Sequence, residues 1–249
     1  MKAIAVIGYH HTGKTSTVVN LVRELCSRGH TVATIKDIHS EKFRADTPGK
    51  NSALHIKAGS KLTVARGIYD TALIFPRSLP LNEIMPHIAA DFLVIEGMKA
   101  APMAKIVCAD SEAQLTELID DTCIGISDII TNSDFKHDKL DVFRIPQDVS
   151  ALCDTVLAHS FEILPAADPE CCQRCGGTCL QMAGDIVQGR RKRSECVLDG
   201  TSRISLKVGG KDVLIVPFVQ DILKDSIMAI VNNLRDIAPN QEIQINIRT

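Results

Sequence analysis

The chain opens on an unbroken apolar run, Ala3-Ile4-Ala5-Val6-Ile7, and a run without polar alternation is the pattern of a strand buried on both faces of a parallel sheet. The period then changes. From Lys14 to Arg28, the residues Val18, Leu21, Val22 and Leu25 form one helical face, and Gly29 stands where a C-terminal cap takes a left-handed residue. Thr31 to Lys36 reads as a second strand, so the opening is strand, helix, strand, the start of a parallel α/β sheet. A long polar loop with Pro48 and Gly49 follows from Asp37 to Asn51. The pattern then predicts a short helix over Ser52 to Ala58, strands over Leu62 to Ala65 and Thr71 to Phe75, and a helix over Leu81 to Ala89 despite Pro86. Four apolar residues, Phe92-Leu93-Val94-Ile95, run into Glu96-Gly97. Strands over Ile106 to Ala109, Cys123 to Ser127 and Asp141 to Ile145, with helices over Glu112 to Ile119 and Asp148 to Ala158, complete this part.

Beyond it the composition shifts. Leu164 to Glu170 reads as a linker by its prolines, small residues and charge. Arg203 to Val208, Gly209-Gly210 and Val213 to Phe218 predict a hairpin. Val219, Ile222, Leu223, Ile227, Ile230, Val231 and Leu234 then recur at helical spacing as a core face, and Ile243, Ile245 and Ile247 alternate as a last strand. The expected organisation is a nucleotide-binding α/β domain over residues 1–163, a linker over 164–170, and a cysteine-containing α+β module over 171–249 with a β-β-α-β subdomain. The fold class is α/β, a P-loop NTPase-like, mainly parallel sheet with flanking helices.

Between the first strand and first helix, Gly8-Tyr9-His10-His11-Thr12-Gly13-Lys14-Thr15 is a complete GxxxxGKT phosphate loop. Glycine at each end lets the backbone curl so that successive N–H groups face phosphates, and the helix that follows adds the positive end of its dipole. Lys14 would reach the β- and γ-phosphates and Thr15 would put its hydroxyl on Mg²⁺. Gly8, His10, His11, Thr12, Gly13, Lys14, Thr15 and Ser16 are the candidate nucleotide-binding residues. Glu96, delivered by a buried strand, is the candidate second Mg²⁺ group.

Asp46, in Asp46-Thr47-Pro48-Gly49, copies the DxxG switch of GTPases superficially, but no apolar strand precedes it. It reads as a mobile-loop residue near the γ-phosphate or Mg²⁺, and Lys14, Thr15, Asp46 and Glu96 form the candidate catalytic set. Thr131-Asn132-Ser133-Asp134 lacks the lysine of a guanine-reading NKxD motif, so the base cannot be read from it.

Over 249 residues the net charge is −2, which makes no electrostatic case for nucleic acid. No apolar stretch is long enough to span a membrane, and the early apolar run is too short for a signal peptide, so a cytoplasmic protein is expected. Of the nine cysteines, Cys26, Cys108, Cys123 and Cys153 are scattered and read as small buried hydrophobes. The other five crowd together. Cys172-x2-Cys175-x3-Cys179-x16-Cys196 places three thiols about the Gly176-Gly177 turn and returns the fourth after a short helix containing Ala183, Ile186 and Val187. Thiolates at such spacing bind a soft metal centre. The stretch looks like the small four-cysteine 4Fe-4S domain of anaerobic electron-transport subunits and corrinoid iron-sulfur proteins, with the third spacing one residue short. Zn²⁺ stays open as the alternative metal, and Cys171 competes with Cys172 for the first position. Arg190-Arg191-Lys192-Arg193 is read as a solvated basic helix end, with docking of a phosphorylated pterin or RNA as the other possibility.

Three segments together resemble the MobB family of molybdopterin-guanine dinucleotide biosynthesis over about residues 1 to 160. They are GYHHTGKTS, TIKDIHSEKFRADTPGKNSALHIKAGS and DFLVIEGMKAAPMAKIV. Asp46, Thr47, Pro48, Gly49, Lys50 and Ser52 match the family's DTPGKxS loop, and Ala58, Gly59, Glu96, Gly97 and Lys99 match its other marks. Asn51 stands where the family commonly has aspartate. The resemblance implies GTP with Mg²⁺, weak hydrolysis, a homodimer, and a supporting role beside the guanylyltransferase that attaches GMP to molybdopterin.

Three functions follow. The first is a GTP-binding accessory protein of molybdenum or tungsten cofactor maturation with a fused cluster domain. The second is a metallochaperone or electron-transfer protein gated by nucleotide. The third is a small-molecule kinase using Asp37, His39 or Asp46 as base.

Overall fold

The computed structural model describes residues 1–127, 135–164, 175–196, 204, 206–208, 211–213, 217–234, 243 and 245. The linker beyond Leu164, Cys171, Cys172, the Thr131 to Asp134 segment and most of the last expected strand lie outside the described residues.

The described residues of the first compact unit, residues 1–196, are built on a seven-stranded sheet. In chain order its strands are β1 (Lys2–Gly8), β2 (Val32–Lys36), β5 (Phe92–Glu96), β6 (Ala104–Cys108), β7 (Cys123–Ser127), β8 (Val142–Phe143) and β9 (Phe161–Glu162). A separate hairpin pairs β3 (Thr63–Arg66) with β4 (Thr71–Ile74). The sheet order is β2-β5-β1-β6-β7-β8 and every pairing along it is parallel. Only β9 runs antiparallel, against the start of β1. The expected mainly parallel α/β sheet is therefore the fold observed.

The apolar runs explain the layering. Alternate residues of a strand point to opposite faces, so an all-apolar strand needs cover on both. Ala3, Ala5 and Ile7 join Leu93, Ile95, Val107, Leu115 and Leu118 in one buried layer. Ile4 and Val6 are fully buried in turn. Helix α1 (Lys14–Ser27) buries Thr17, Val18, Leu21 and Leu25 and packs on β1, β5 and α5 (Val149–His159). Each such buried Leu, Ile or Val contributes roughly 1.5–3 kcal/mol. Arg28, just past α1, bonds Glu24 at 2.9 Å, Asp154 at 2.5 Å and the Ser150 carbonyl at 3.0 Å, which fastens α1 to α5.

Several expectations need correction. The helix expected over Leu81 to Ala89 is one short turn, α3 (Leu81–Ile84), followed by a 3₁₀ turn over Met85–His87. Pro86 has no N–H to give an α-helical ladder. Cys26 is exposed on α1, whereas Cys108, Cys123 and Cys153 are buried as expected. The strand expected to reach Phe218 does not include its last two residues, because Pro217 opens a helix, a position where its missing N–H costs nothing, while residues 214–216 lie outside those described.

The remaining helices of this unit are α2 (Asn51–Lys57), α4 (Glu112–Leu118) and α6 (Cys179–Val187). Thr178 and Gln181 form a capping box at the start of α6, which buries Met182 and Ala183 and packs on β6 and β7. Gly184 is required there, since a Cβ on it would lie 2.8 Å from Cβ of Asp121. Gln188 donates to the Asp121 carbonyl at 3.0 Å, Arg190 pairs with Asp121 at 2.5 Å and Asp185 at 2.7 Å, and Arg193 donates to the carbonyls of Glu162 and Ile163. The basic run thus stays open to solvent at Arg190 and Lys192 while its arginines also bond acceptors of this unit. All these anchors lie at the strand ends where β1 and β7 begin, opposite the phosphate loop.

The second unit covers residues 197–249. Its described elements are the antiparallel hairpin β10 (Leu206–Val208) and β11 (Lys211–Val213), with Leu206 opposite Val213, and helix α7 (Pro217–Val231). The helical face expected to be core is largely exposed. Val219, Ile222, Ile230 and Leu234 are open and Val231 is buried.

Candidate functional site

The chemistry gathers where β2, β5 and β1 end. Gly8 closes β1, and a Cβ there would sit 2.2 Å from the Cys108 carbonyl, so only glycine lets the loop leave the sheet so close to β6. His11 takes φ 62° and Gly13 φ 88° before α1 begins at Lys14. Thr12 donates from Oγ1 to the Tyr9 carbonyl at 2.9 Å, and the Lys14 ammonium donates to the same carbonyl. The loop thus holds its own lysine folded over it. Burial, chiefly, holds the Lys14 amine below the ordinary lysine range, countered by Cys108 and Glu96 and reinforced by Lys36 and Lys99. Behind the loop Thr17 and Ser127, both fully buried, share a hydrogen bond of 2.9 Å that ties α1 to the end of β7.

Glu96 comes from β5, and its side chain is 12% exposed. The Thr15 hydroxyl donates to its Oε1 at 2.9 Å, and Lys36 Nζ lies 3.0 Å from the same oxygen. Sheet register imposes this meeting, because Lys36 and Val6 are the Cα partners of Glu96 on the two neighbouring strands. Side chains in register share a face, and α1 with Thr15 covers that face. Two hard oxygens fit Mg²⁺ in kind. They also fit in spacing, since adjacent ligands of an octahedral ion at about 2.1 Å stand about 3.0 Å apart.

After Glu96 the chain turns through Gly97 (φ 106°) and Met98 (φ 56°), and Lys99 places its ammonium 3.9 Å from the centre of the Tyr9 ring. That distance is a cation–π contact. The Tyr9 hydroxyl donates to Glu117 of α4, and this bond above all raises the phenol's pKa. Lys14 thus feels the charges of Lys36, Lys99 and Glu96 together, three ammonium groups to one carboxylate, an excess of positive charge suited to a polyphosphate. The sequence reading selected Lys14 and Glu96 but gave no site role to Lys36 or Lys99. The available signal was position: Lys36 ends a strand, and Lys99 follows Glu96 by three residues.

The other candidates divide. Gly8, His10, His11, Thr12, Gly13, Lys14, Thr15 and Ser16 lie together in the loop and the first turn of α1, with His10 and His11 exposed. Asp37 follows β2 directly; its N–H donates to the Glu96 carbonyl at 2.9 Å and its Oδ2 is 2.9 Å from His39 Nε2. Asp46 is bonded within its own loop. Its Oδ1 accepts the Thr47 N–H at 2.8 Å, while Oδ2 is buried with no hydrogen-bond partner among the described residues.

Of the cysteine set, Cys172 lies outside the described residues. Cys175 and Cys179 are half-buried and Cys196 is buried. Arg191 donates to the Cys175 carbonyl at 2.9 Å and pairs with Glu195 at 3.2 Å, which draws the two ends of the stretch together. Among the described residues no group of three or more His, Cys, Asp or Glu side chains is placed to hold a metal ion. No helix among them is long and apolar enough to cross a membrane.

The sequence model for molybdopterin guanine dinucleotide synthesis protein B, MobB, matches residues 3–132. A Methanocaldococcus jannaschii chain, provisionally named a molybdopterin-guanine dinucleotide biosynthesis adapter protein, is 27% identical over 255 residues, 99% of this chain and 97% of its own. The molybdopterin-guanine dinucleotide biosynthesis adapter protein of Haemophilus influenzae is 26% identical over 151 residues, 58% of this chain and 83% of its own. The crystal structure of Bacillus subtilis MobB superposes with a TM-score of 0.52 at 23% identity, covering 62% of this chain and 98% of that one, a likeness of fold. The archaeal match runs through the cysteine stretch and the C-terminal unit.

Proposed function

Since the chain belongs to the MobB family, we propose that it is an adapter of molybdopterin-guanine dinucleotide biosynthesis that binds GTP with Mg²⁺ at the phosphate loop. The observation that carries the nucleotide part is the shared Glu96 oxygen, with Thr15 at 2.9 Å and Lys36 at 3.0 Å beside the loop. Lys14 and the loop backbone would take the phosphates. Thr15 and Glu96 would hold the ion, which when bound neutralises phosphate charge and fixes the β- and γ-phosphates. Lys99, held by the Tyr9 ring, adds a further positive charge at the mouth.

Among the described residues, the groups about the loop that could serve as a base are His10, His11 and His39, all exposed, and Asp37, which pairs with His39. Slow hydrolysis that changes the adapter's state is therefore favoured over transfer to an acceptor, and the working partner is the guanylyltransferase that joins GMP to molybdopterin, served by a homodimer. The cysteine stretch is a candidate 4Fe-4S or Zn²⁺ module on spacing alone, through Cys172, Cys175, Cys179 and Cys196. Its anchors lie at the strand ends opposite the loop, and the seven residues of β1 span about 20 Å between the two ends. Direct contact between nucleotide and thiols is thereby disfavoured, which ranks the adapter reading above a nucleotide-gated electron carrier.

Calorimetric titration with GTP and ATP in the presence of Mg²⁺ tests the proposal. GTP should bind with a preference over ATP, and Lys14→Ala should weaken it at least a hundredfold. Equal affinity of wild type and Lys14→Ala would remove the loop from the explanation.

A further inference from the structure

Lys36 has no place in the phosphate-loop motif, yet it makes a close charged contact to Glu96, the largely buried carboxylate beside the loop. Its ammonium is 3.0 Å from Oε1 of Glu96, the same oxygen that accepts the Thr15 hydroxyl. The Lys36 side chain is 58% exposed while that of Glu96 is 12% exposed, so an open, mobile cation neutralises a closed anion. An ion pair with one partner so exposed exchanges readily. A divalent ion on the Glu96 oxygen would lie about 2.1 Å from it. With Lys36 Nζ 3.0 Å from that same oxygen, an ion bound there would stand about 4 Å from the ammonium, and the repulsion between the two cations favours release of the lysine.

We infer that Lys36 is a placeholder cation: it neutralises Glu96 while the site lacks metal, is displaced when Mg²⁺ enters with the nucleotide, and then turns to the terminal phosphate. The inference rests on the nucleotide reading above. Three features of the fold support it. Register fixes Lys36 beside Glu96 on the same sheet face, so the pair is built into the β2–β5 ladder. The lysine stem lies at the exposed mouth and has room to swing. The other two lysines are held elsewhere, Lys14 on the Tyr9 carbonyl and Lys99 on the Tyr9 ring, so Lys36 is the cation assigned to Glu96. The exchange makes nucleotide binding tolerant of low Mg²⁺. Without the ion, Lys36 prevents Glu96 from repelling phosphate, and with it, part of the ion's benefit goes to displacing Lys36.

The test compares GTP affinity in EDTA with that in saturating Mg²⁺, by calorimetry, for wild type, Lys36→Met, Lys36→Arg and the double variant Lys36→Met with Glu96→Gln. Methionine keeps the stem and removes the charge. The ratio of the two dissociation constants should rise about tenfold or more in Lys36→Met, chiefly through weaker binding in EDTA. Lys36→Arg should stay near wild type, and the double variant should lose most of the ratio. Wild type that binds GTP with the same ratio as Lys36→Met overturns the placeholder role and leaves the nucleotide reading standing. Wild type that binds neither GTP nor ATP in either medium overturns the nucleotide reading and the exchange with it.

Discussion

The Thr15 hydroxyl donates to Oε1 of Glu96 at 2.9 Å, joining two residues 81 positions apart in the chain. One belongs to the first turn of α1 and the other ends β5, so their meeting depends on β5 lying beside β1. Glu96→Gln keeps an acceptor for Thr15 but removes the charge a cation needs. GTP affinity in saturating Mg²⁺ should fall about tenfold or more, near 1.4 kcal/mol. Affinity in EDTA should hold or improve, because a buried negative charge no longer faces the phosphates. A parallel loss in both media would mean that Glu96 shapes the loop and does not serve an ion.

Gly8 gives a second prediction. A Cβ there would meet the Cys108 carbonyl at 2.2 Å and the Thr12 hydroxyl at 2.6 Å, and the first of these is backbone that cannot step aside. Gly8→Ala should cost about 3 kcal/mol in chemical denaturation, the upper end of what overpacking costs, because the neighbour is rigid. It should abolish GTP binding even where the protein stays folded. Open space surrounds a Cβ on Gly49, but its φ of 86° leaves Gly49→Ala with only the strain of a left-handed residue, about 1–2 kcal/mol. Similar losses for the two would contradict the close approach at Gly8.

These two residues also show what could be read in the sequence. Gly8 and Glu96 were legible because each ends an apolar run, and the apolar run is the strand. Lys36 was not, because its role depends on β2 pairing with β5, a neighbour 60 residues onward, and strand order leaves no mark on local pattern. Lys105 is a similar case. It sits within the run Ala104–Cys108 and is fully buried, with Nζ 3.0 Å from Asp120, a partner that only the turn before β7 supplies. The apolar face of α7 was legible as a pattern, but a pattern states that a face wants cover and not what covers it.

The Lys105–Asp120 pair predicts acid sensitivity. Burial raises the Asp120 pKa, but the bonds from Thr122 and Lys105 outweigh it and hold the carboxyl below its ordinary value. A depressed carboxyl pKa contributes stability above the unfolded value, and that contribution is lost as pH falls through the folded one. Wild type should therefore lose more of its urea midpoint than Asp120→Asn between pH 6 and about pH 3. Asp120→Ala leaves a buried ammonium unpaired and should cost about 3–5 kcal/mol at neutral pH. The low end is expected, since the Asp120 side chain is 43% exposed and water can reach the vacated position. Indifference to Asp120→Ala would show that the lysine reaches solvent by another route.

Gly184 predicts how the cysteine stretch is held. Its Cα faces Asp121 so closely that a Cβ would stand 2.8 Å from the aspartate's Cβ, and Arg190 clamps the same aspartate. Gly184→Val should lift α6 from the starts of β6 and β7, lower the melting temperature by several degrees, and leave GTP affinity within about twofold. Arg190→Ala should act in the same direction but more weakly, because exposed pairs contribute about 0–1 kcal/mol. Loss of GTP binding in Gly184→Val would instead mean that the two ends of the sheet communicate.

The thiols themselves are settled by metal analysis. Arg191 draws the Cys175 carbonyl towards Glu195, the residue before Cys196, while Cys179 opens α6 from the other side of the Gly176-Gly177 turn. These polar contacts bring the segments near one another, and the content of the site is a matter for measurement. Protein purified without oxygen should contain about four irons and four acid-labile sulfides per chain if the spacing encodes a 4Fe-4S centre, and both should vanish in Cys175→Ser and Cys179→Ser. About one zinc without sulfide, lost in the same variants along with thermal stability, would make the stretch a structural staple. Neither metal in wild type would leave these thiols as packing residues of a helix whose task is to close the sheet's far end. In each case GTP binding at the loop should persist, since the anchors of α6 lie at the opposite strand ends from Lys14, Thr15 and Glu96.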